Sequence, residues 1–273
     1  MIEPLRSPIF DRVPHIEHGF FDATAQAPTP MGRAHQVHGV EILEYKGDEP
    51  LSPLQWPKAD TVITGVKDLW VGVQTADCIP LLFAALSQPY VMAVHAGWKG
   101  VLLGAAVKAI EYAEKNKGIR PRDWVVAMGP SIGPCCFEVG TDLIADFESQ
   151  WGWMWAGRIK ERPWQKGRDG VVDTESLNAP IGGAARTTGS DHWLNLKAVT
   201  KMQLVNAGVL EPSIDPIPLC TYCGVLRLHG ETFKAETNDW ASHRRGTHEG
   251  FKAGRQWSAI RTMSKEMEMT KRV

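Results

Sequence analysis

Two apolar runs a few residues apart, Ile79–Ala85 and residues 90–94, constrain the fold of this chain more than any other feature. Each is too short for a confident helix and rich in branched residues, so each reads as a buried strand. Laid side by side, the two strands would gather the polar residues at their ends. Asp77 and Cys78 come just before the first run, and His95 closes the second ahead of a turn over residues 97–100. A thiolate and an imidazole at the rim of a sheet make either a metal site or a nucleophile–base pair. The plainer alternative is a buried cysteine and a core histidine that meet nothing.

The rest of the chain can be arranged around that pair. Residues 1–21 read as an entry strand and turn, and 22–33 as a loop rich in Ala, Pro and Thr. Residues 35–42 alternate apolar and polar side chains, which predicts a strand broken at Gly39. Further strands are expected at 59–64, 69–74, 124–128 and 214–219. Leu103, Val107, Ile110 and Ala113 recur at helical spacing and predict one helix over 101–117, stopped by Gly118. A second helix follows Thr141 and Asp142, burying Leu143, Ile144 and Phe147. A third runs over 195–207, burying Leu196, Val199, Met202 and Val205. Residues 151–192 have no clear period and read as an irregular excursion able to cover a neighbouring cleft. No linker divides the chain, so a single α+β domain over residues 1–262 is expected, with a polar tail at 263–273.

Composition mainly excludes. A net charge of −1 offers no electrostatic reason to expect nucleic acid or an anionic membrane as a partner. No apolar run approaches the roughly 18 residues that span a bilayer. The first twenty residues lack the charged and apolar regions of a secretory signal. Five cysteines, two of them adjacent, fit a disulfide framework poorly. A cytoplasmic, reducing location is the expectation.

Catalytic zinc usually has three protein ligands and one open position. Cys78 and His95 supply two, and His38, followed by Gly39, is the best third. His35 competes, and on an extended segment it would face the opposite side. Asp77 is a candidate general base, or the group that orients a ligating histidine. Cys220-x-x-Cys223 has the spacing of half a zinc knuckle or of a redox dithiol. A structural zinc would need a second pair, and adjacent Cys135 and Cys136 have the wrong spacing for one. All four are therefore expected to be reduced and metal-free. Arg244 and Arg245 could hold a phosphate or carboxylate bidentately, with Lys99 or the helix N-terminus after Gly100 as other anion sites. No phosphate-cradling, dinucleotide or nucleophile-elbow fingerprint is present.

Several stretches together resemble the YfiH-like laccase-domain family, also described as multicopper polyphenol oxidoreductases, purine nucleoside phosphorylases or peptidoglycan editing factors. They are Gln36-Val37-His38-Gly39, Thr75-Ala76-Asp77-Cys78 and the run from Ala93 to Gly100. The run from Gly129 to Val139, Cys220-Thr221, Ser242-His243-Arg244-Arg245 and Gly254-Arg255 follow in the same order. The resemblance implies a mixed-sheet α+β fold similar to a toxin deamidase, and a zinc site of His38, Cys78 and His95. It implies phosphorolysis of adenosine, inosine and methylthioadenosine, with adenosine deamination, so nucleoside and phosphate are the expected partners. It also leaves open removal of a misplaced L-serine from a UDP-MurNAc precursor, or hydrolysis with Cys78 as nucleophile. Lys99 stands where the family usually has arginine, and His243 where it has tyrosine. Several coppers would require about ten histidines with paired His-x-His spacing. Nine histidines without that spacing argue against a multicopper oxidase, although one Cu2+ could take the zinc position.

Overall fold

The computed structural model describes residues 3–47, 56–158, 161–166, 192–228, 231–234 and 238–267. Its centre is a six-stranded mixed sheet, whose order is Ile214–Pro216, Trp124–Met128, Ile79–Ala85, Val91–Ala96, Thr61–Thr64 and Ile42–Glu44. The two central apolar runs are its antiparallel middle, with Pro80 opposite His95 and Phe83 opposite Met92. Every residue of both strands is buried, because the sheet is covered on both faces. Ile79, Leu81 and Phe83 pack toward the helices, whereas Leu82 and Ala84 meet Val71, Val73 and Ile260 of a second sheet. The two-residue period of a strand thus feeds two cores from one segment. Burial of each large side chain contributes about 1.5–3 kcal/mol.

The second sheet has four strands in the order Ile16–Phe20, Gln256–Thr262, Trp70–Thr75 and Met31–Gly32. Gln256–Thr262 pairs antiparallel with a neighbour on each side, and the sequence reading had no strand there. Its polar residues hide it. Gln256, Ser258, Arg261 and Thr262 are all buried, with Arg261 paired to Glu17 at 2.5 Å and Gln256 accepting the Ala241 N–H at 2.6 Å.

Helices cover the outer face of the six-stranded sheet. They are α1 (Trp98–Leu102), α2 (Ala105–Lys117), α3 (Thr141–Trp151) and α4 (Leu196–Asn206), with α5 (His243–Glu249) beside the sheet ends. The single helix expected over 101–117 is two helices separated by a turn at Leu103–Gly104. As a result Leu103 is exposed, and the buried stripe of α2 is Ala105, Ala109, Ile110 and Ala113. The helix after Thr141 is present, but Gly140 caps it without a side-chain bond. In α4, Asn195 caps the first turn by accepting the Ala198 N–H at 3.0 Å, and Val205 faces outward rather than into the core.

The strand expected over 35–42 does not form until Ile42, for a reason that shapes the site. The amides of Val37, His38 and Gly39 donate to the Asp60 carboxylate instead of a sheet ladder. Of the excursion over 151–192, residues 159–160 and 167–191 lie outside the described residues, as do 268–273 of the polar tail. The described ends form a small sheet in which Trp164–Lys166 pairs with His192–Leu194, and that strand pairs with Glu138–Val139. Among the described residues, no helix is long and apolar enough to cross a membrane.

Candidate active site

Cys78 stands one residue ahead of the strand Ile79–Ala85, and His95 sits near the far end of its antiparallel partner. The register therefore puts thiol and imidazole at the same edge of the sheet. His38 arrives from the loop at 35–39, which is stitched to the second sheet through Gln36. Its amide group donates to the Gln74 carbonyl at 2.8 Å and accepts the Gln74 N–H at 2.7 Å. The ligand atoms of His38, Cys78 and His95 all lie within 4.8 Å of one another. The two imidazoles meet edge to face with centroids 4.7 Å apart. Gly97 permits this approach, since a Cβ there would stand 2.9 Å from the Cys78 sulfur and 3.3 Å from the His38 ring.

The residue that organises the triple is Asp60, which the sequence reading did not single out. It is fully buried at the head of the strand Thr61–Thr64. Its carboxylate accepts the N–H groups of Val37, His38 and Gly39 at 3.2, 3.0 and 2.7 Å, and meets His95 Nδ1 at 2.7 Å. One carboxylate thus shapes the His38 loop and fixes the His95 ring, leaving Nε2 as the nitrogen free to turn to Cys78. The only sequence signal was an acidic residue inside an otherwise strand-like run. Asp77, the expected orienter, is occupied elsewhere. Its two oxygens accept the Thr221 hydroxyl and the Arg244 N–H, both at 2.7 Å, so it ties the sheet edge to α5.

The electrostatics follow from these contacts. Burial alone would raise the pKa of Asp60, but the bonds from His95, Gly39 and Val37 outweigh it and hold the carboxyl below its ordinary range. Burial would lower that of His95, yet its bonds to Asp60 and Cys78 raise it to about 9. Burial would raise that of Cys78, yet the bonds from His38 and His95 bring it down to about 7. These contacts therefore favour a thiolate beside an imidazolium.

The triple lies in a cleft of about 580 Å³. Trp56, Trp98 and Phe137 give it aromatic walls, while Asp77, His243, Arg244 and Arg255 line its polar side. Arg244 stacks over Phe137 at 5.5 Å and donates to the Glu138 carbonyl at 3.1 Å. Arg245 does not line the cleft. Its guanidinium binds the carbonyls of Thr221, Tyr222 and Trp240, at 3.1, 2.9 and 2.6 Å, and so serves the loop rather than a ligand. Lys99 does not line it either, lying over the Trp98 ring at 5.4 Å. Arg255, named in the sequence only as part of the Gly254-Arg255 stretch and given no role there, is a second cation lining the cleft; its hydrogen bond is to the neighbouring Gly254 carbonyl at 3.1 Å.

One thiolate and two imidazoles suit a single ion of borderline softness, such as zinc or copper. Among the described residues, the other group able to hold a metal consists of four cysteines, and neither group has the paired histidines that several coppers need. The pair Cys135–Cys136, set aside on its spacing, meets Cys220 and Cys223 in that group. Ligand spacing counts only when the ligands share one turn, and here two separate loops deliver them.

Fold and cleft together define a class: α+β proteins with a Cys–His–His centre at a sheet edge. The chain belongs to the multi-copper polyphenol oxidoreductase laccase family, whose family model matches residues 13–263. It is similar to the purine nucleoside phosphorylase of Haemophilus influenzae, 34% identical over 45% of this chain and 45% of that one. It also resembles the purine nucleoside phosphorylase YlmD of Geobacillus stearothermophilus, 28% identical over 69% of this chain and 61% of that one. These matches thus span between about half and three fifths of the relatives' own length. The crystal structure of the Bacillus licheniformis hypothetical protein YfiH superposes with a TM-score of 0.64 at 25% identity, covering 86% of this chain and 74% of that one.

Proposed function

We propose that the protein is a metal-dependent purine nucleoside phosphorylase, acting on adenosine, inosine and methylthioadenosine and also deaminating adenosine. The observation that carries this reading is the convergence of His38, Cys78 and His95 in an aromatic-walled cleft with cations on its rim. The names of its relatives support it. His38, Cys78 and His95 would hold one zinc ion, or one copper ion in its place. When bound, such an ion would supply Lewis acidity to a substrate oxygen or acidify a water.

The chain's own residues do the remainder. Asp60 keeps the proton on His95 Nδ1 and holds the ring in place. Trp56, Trp98 and Phe137 offer flat faces to a purine base and exclude water around it. Arg244 and Arg255 present cationic forks to phosphate, whose oxygen attacks the ribose C1′ as the bond to the purine nitrogen breaks. The departing purine then takes a proton, for which we assign His243 of the cleft lining as donor. We also assign the protein to the cytoplasm, a reading supported by five unpaired cysteines.

Asp60, His95 and Cys78 also form a carboxylate–imidazole–thiol series, and this favours a second reading, amide hydrolysis with Cys78 as nucleophile. The two readings separate in one experiment with adenosine and an amide such as a muramoyl-serine precursor. Chelation should abolish phosphorolysis and be reversed by added zinc. A hydrolase working through the thiol alone would survive chelation and die on alkylation. Chelation-resistant activity on adenosine would overturn the metal-dependent reading.

A further inference from the structure

Four of the five cysteines converge away from the cleft's metal triple. Cys135 and Cys136 end the loop after the strand Trp124–Met128, and Cys220 and Cys223 lie in the turn beyond the strand Ile214–Pro216. Ser131 and Cys220 bridge the two segments as parallel neighbours. The four sulfurs lie within 4.8 Å of one another, and those of Cys135 and Cys223 are 3.8 Å apart. Four sulfurs placed tetrahedrally at about 2.3 Å from one zinc ion stand about 3.8 Å from each other. A disulfide would bring two of them to about 2.05 Å, and all five cysteines are unpaired. An iron–sulfur cluster, with several irons between the thiolates, would spread them farther.

The backbone around Cys220 is built to face thiolates. Gly224 adopts φ +68°, which lets the chain double back under Cys223. The Gly224 N–H closes on the Cys220 carbonyl at 2.9 Å, and the Cys220 N–H on the Val225 carbonyl at 3.0 Å. Two further amides point at sulfur: Gly133 N–H donates to Cys220 Sγ at 3.2 Å, and Val225 N–H to Cys223 Sγ. Such bonds favour the ionised sulfur. A separate observation concerns charge. The Lys197 side chain is buried, donates to the Ile217 carbonyl, and lies within electrostatic reach of Cys220, Asp215 and Cys135. Four thiolates around a dication would carry two net negative charges, and Lys197 is the basic side chain beside them.

We propose that Cys135, Cys136, Cys220 and Cys223 form a closed tetrathiolate site for one zinc ion, structural in role. Zinc is the fitting ion because four thiolates leave no open coordination position and the site offers no redox partner. Binding releases the four thiol protons. The ion would staple two loops that together hold the cleft's polar wall. Thr221 beside Cys220 bonds Asp77, Ile132 N–H bonds the Asp77 carbonyl at 2.9 Å, and Arg245 binds the Thr221 and Tyr222 carbonyls. This assignment does not depend on what the cleft catalyses.

The test uses the full chain carrying His38→Ala and Cys78→Ser, which disable the cleft's own ligands and leave the four cysteines untouched. It should purify with one zinc per chain, against two in the unaltered protein. Its four thiols should resist a thiol reagent until a chelator or denaturant is added. Replacing zinc by cobalt should give the intense charge-transfer and tetrahedral visible bands of a tetrathiolate. Cys220→Ser with Cys223→Ser, in a chain with the cleft intact, should remove one of the two zinc ions and lower Tm. If that variant fails to fold, the first decides alone. Only trace zinc, four freely reactive thiols in the native protein, or a disulfide within the cluster would overturn the proposal.

Discussion

Replacing Asp60 by asparagine exchanges one carboxylate oxygen for an NH2 group and should disturb the whole site. The carboxylate accepts four hydrogen bonds, two on each oxygen: His38 N–H and His95 Nδ1 on one, Val37 and Gly39 N–H on the other. An asparagine has one acceptor oxygen and one donor NH2, so one of those two pairs must face N–H against N–H. The Asp60 carboxylate is itself fully buried, so water has little access to replace the bonds it loses. Breaking a buried charged pair of this kind costs about 3–5 kcal/mol. Lost orientation of a ligating histidine typically costs about 10–100-fold in metal affinity. Denaturant unfolding should therefore show a lower midpoint at unchanged slope. Competition with a calibrated chelator should show weaker metal binding, and His95 should lose its raised pKa by NMR titration. A stability change below about 1 kcal/mol with unaltered metal affinity would refute the reasoning.

Three further outcomes follow from other residues. Gly97→Ala would place a methyl 2.9 Å from the Cys78 sulfur, so metal content should fall sharply while the fold survives, as metal analysis and circular dichroism would show. Arg244→Ala should raise the KM for phosphate with stability nearly intact. Arg245→Ala should instead destabilise by about 2–4 kcal/mol, because a charged donor to several loop carbonyls is lost; equal kinetic effects in the two variants would contradict this division. His18 accepts the Ser7 N–H at 2.8 Å between Phe10 and Phe20, and burial, with Arg6 nearby and Glu17 opposing, lowers its pKa from 6.5 to about 4. The unfolded chain then binds more protons in that window, so stability should fall as pH drops from 6.5 toward 4, by about 3 kcal/mol at most. His18→Gln should flatten that part of the curve measured by denaturant unfolding.

What could be read from the chain depended on whether a local pattern sufficed. The central strands were legible because a sheet covered on both faces needs unbroken apolar runs, as Ile79–Ala85 shows. The Cys78–His95 approach followed from pairing those strands. Gln256–Thr262 escaped because polar residues such as Arg261 and Gln256 are buried against partners on other segments, Glu17 and Ala241, which no local period reveals. The extended reading of residues 35–42 failed because a carboxylate more than twenty residues away captures three successive amides. Arg245 and Lys99 carry the right chemistry for anions, but only the tertiary structure shows the first bonded to carbonyls and the second lying over Trp98. The four-cysteine cluster escaped for a related reason, since adjacent cysteines become a useful pair only when a second loop faces them.

Metal-assisted nucleoside chemistry at His38, Cys78 and His95 is the central proposal. The most direct measurement is product analysis of adenosine incubated with zinc-loaded protein, in phosphate and in a phosphate-free buffer, beside the Cys78→Ser variant. Ribose 1-phosphate should form only in phosphate, together with adenine, or with hypoxanthine after deamination, and the variant should form neither product. Absence of any purine base or ribose 1-phosphate from the fully zinc-loaded protein, or undiminished formation by Cys78→Ser, would contradict it.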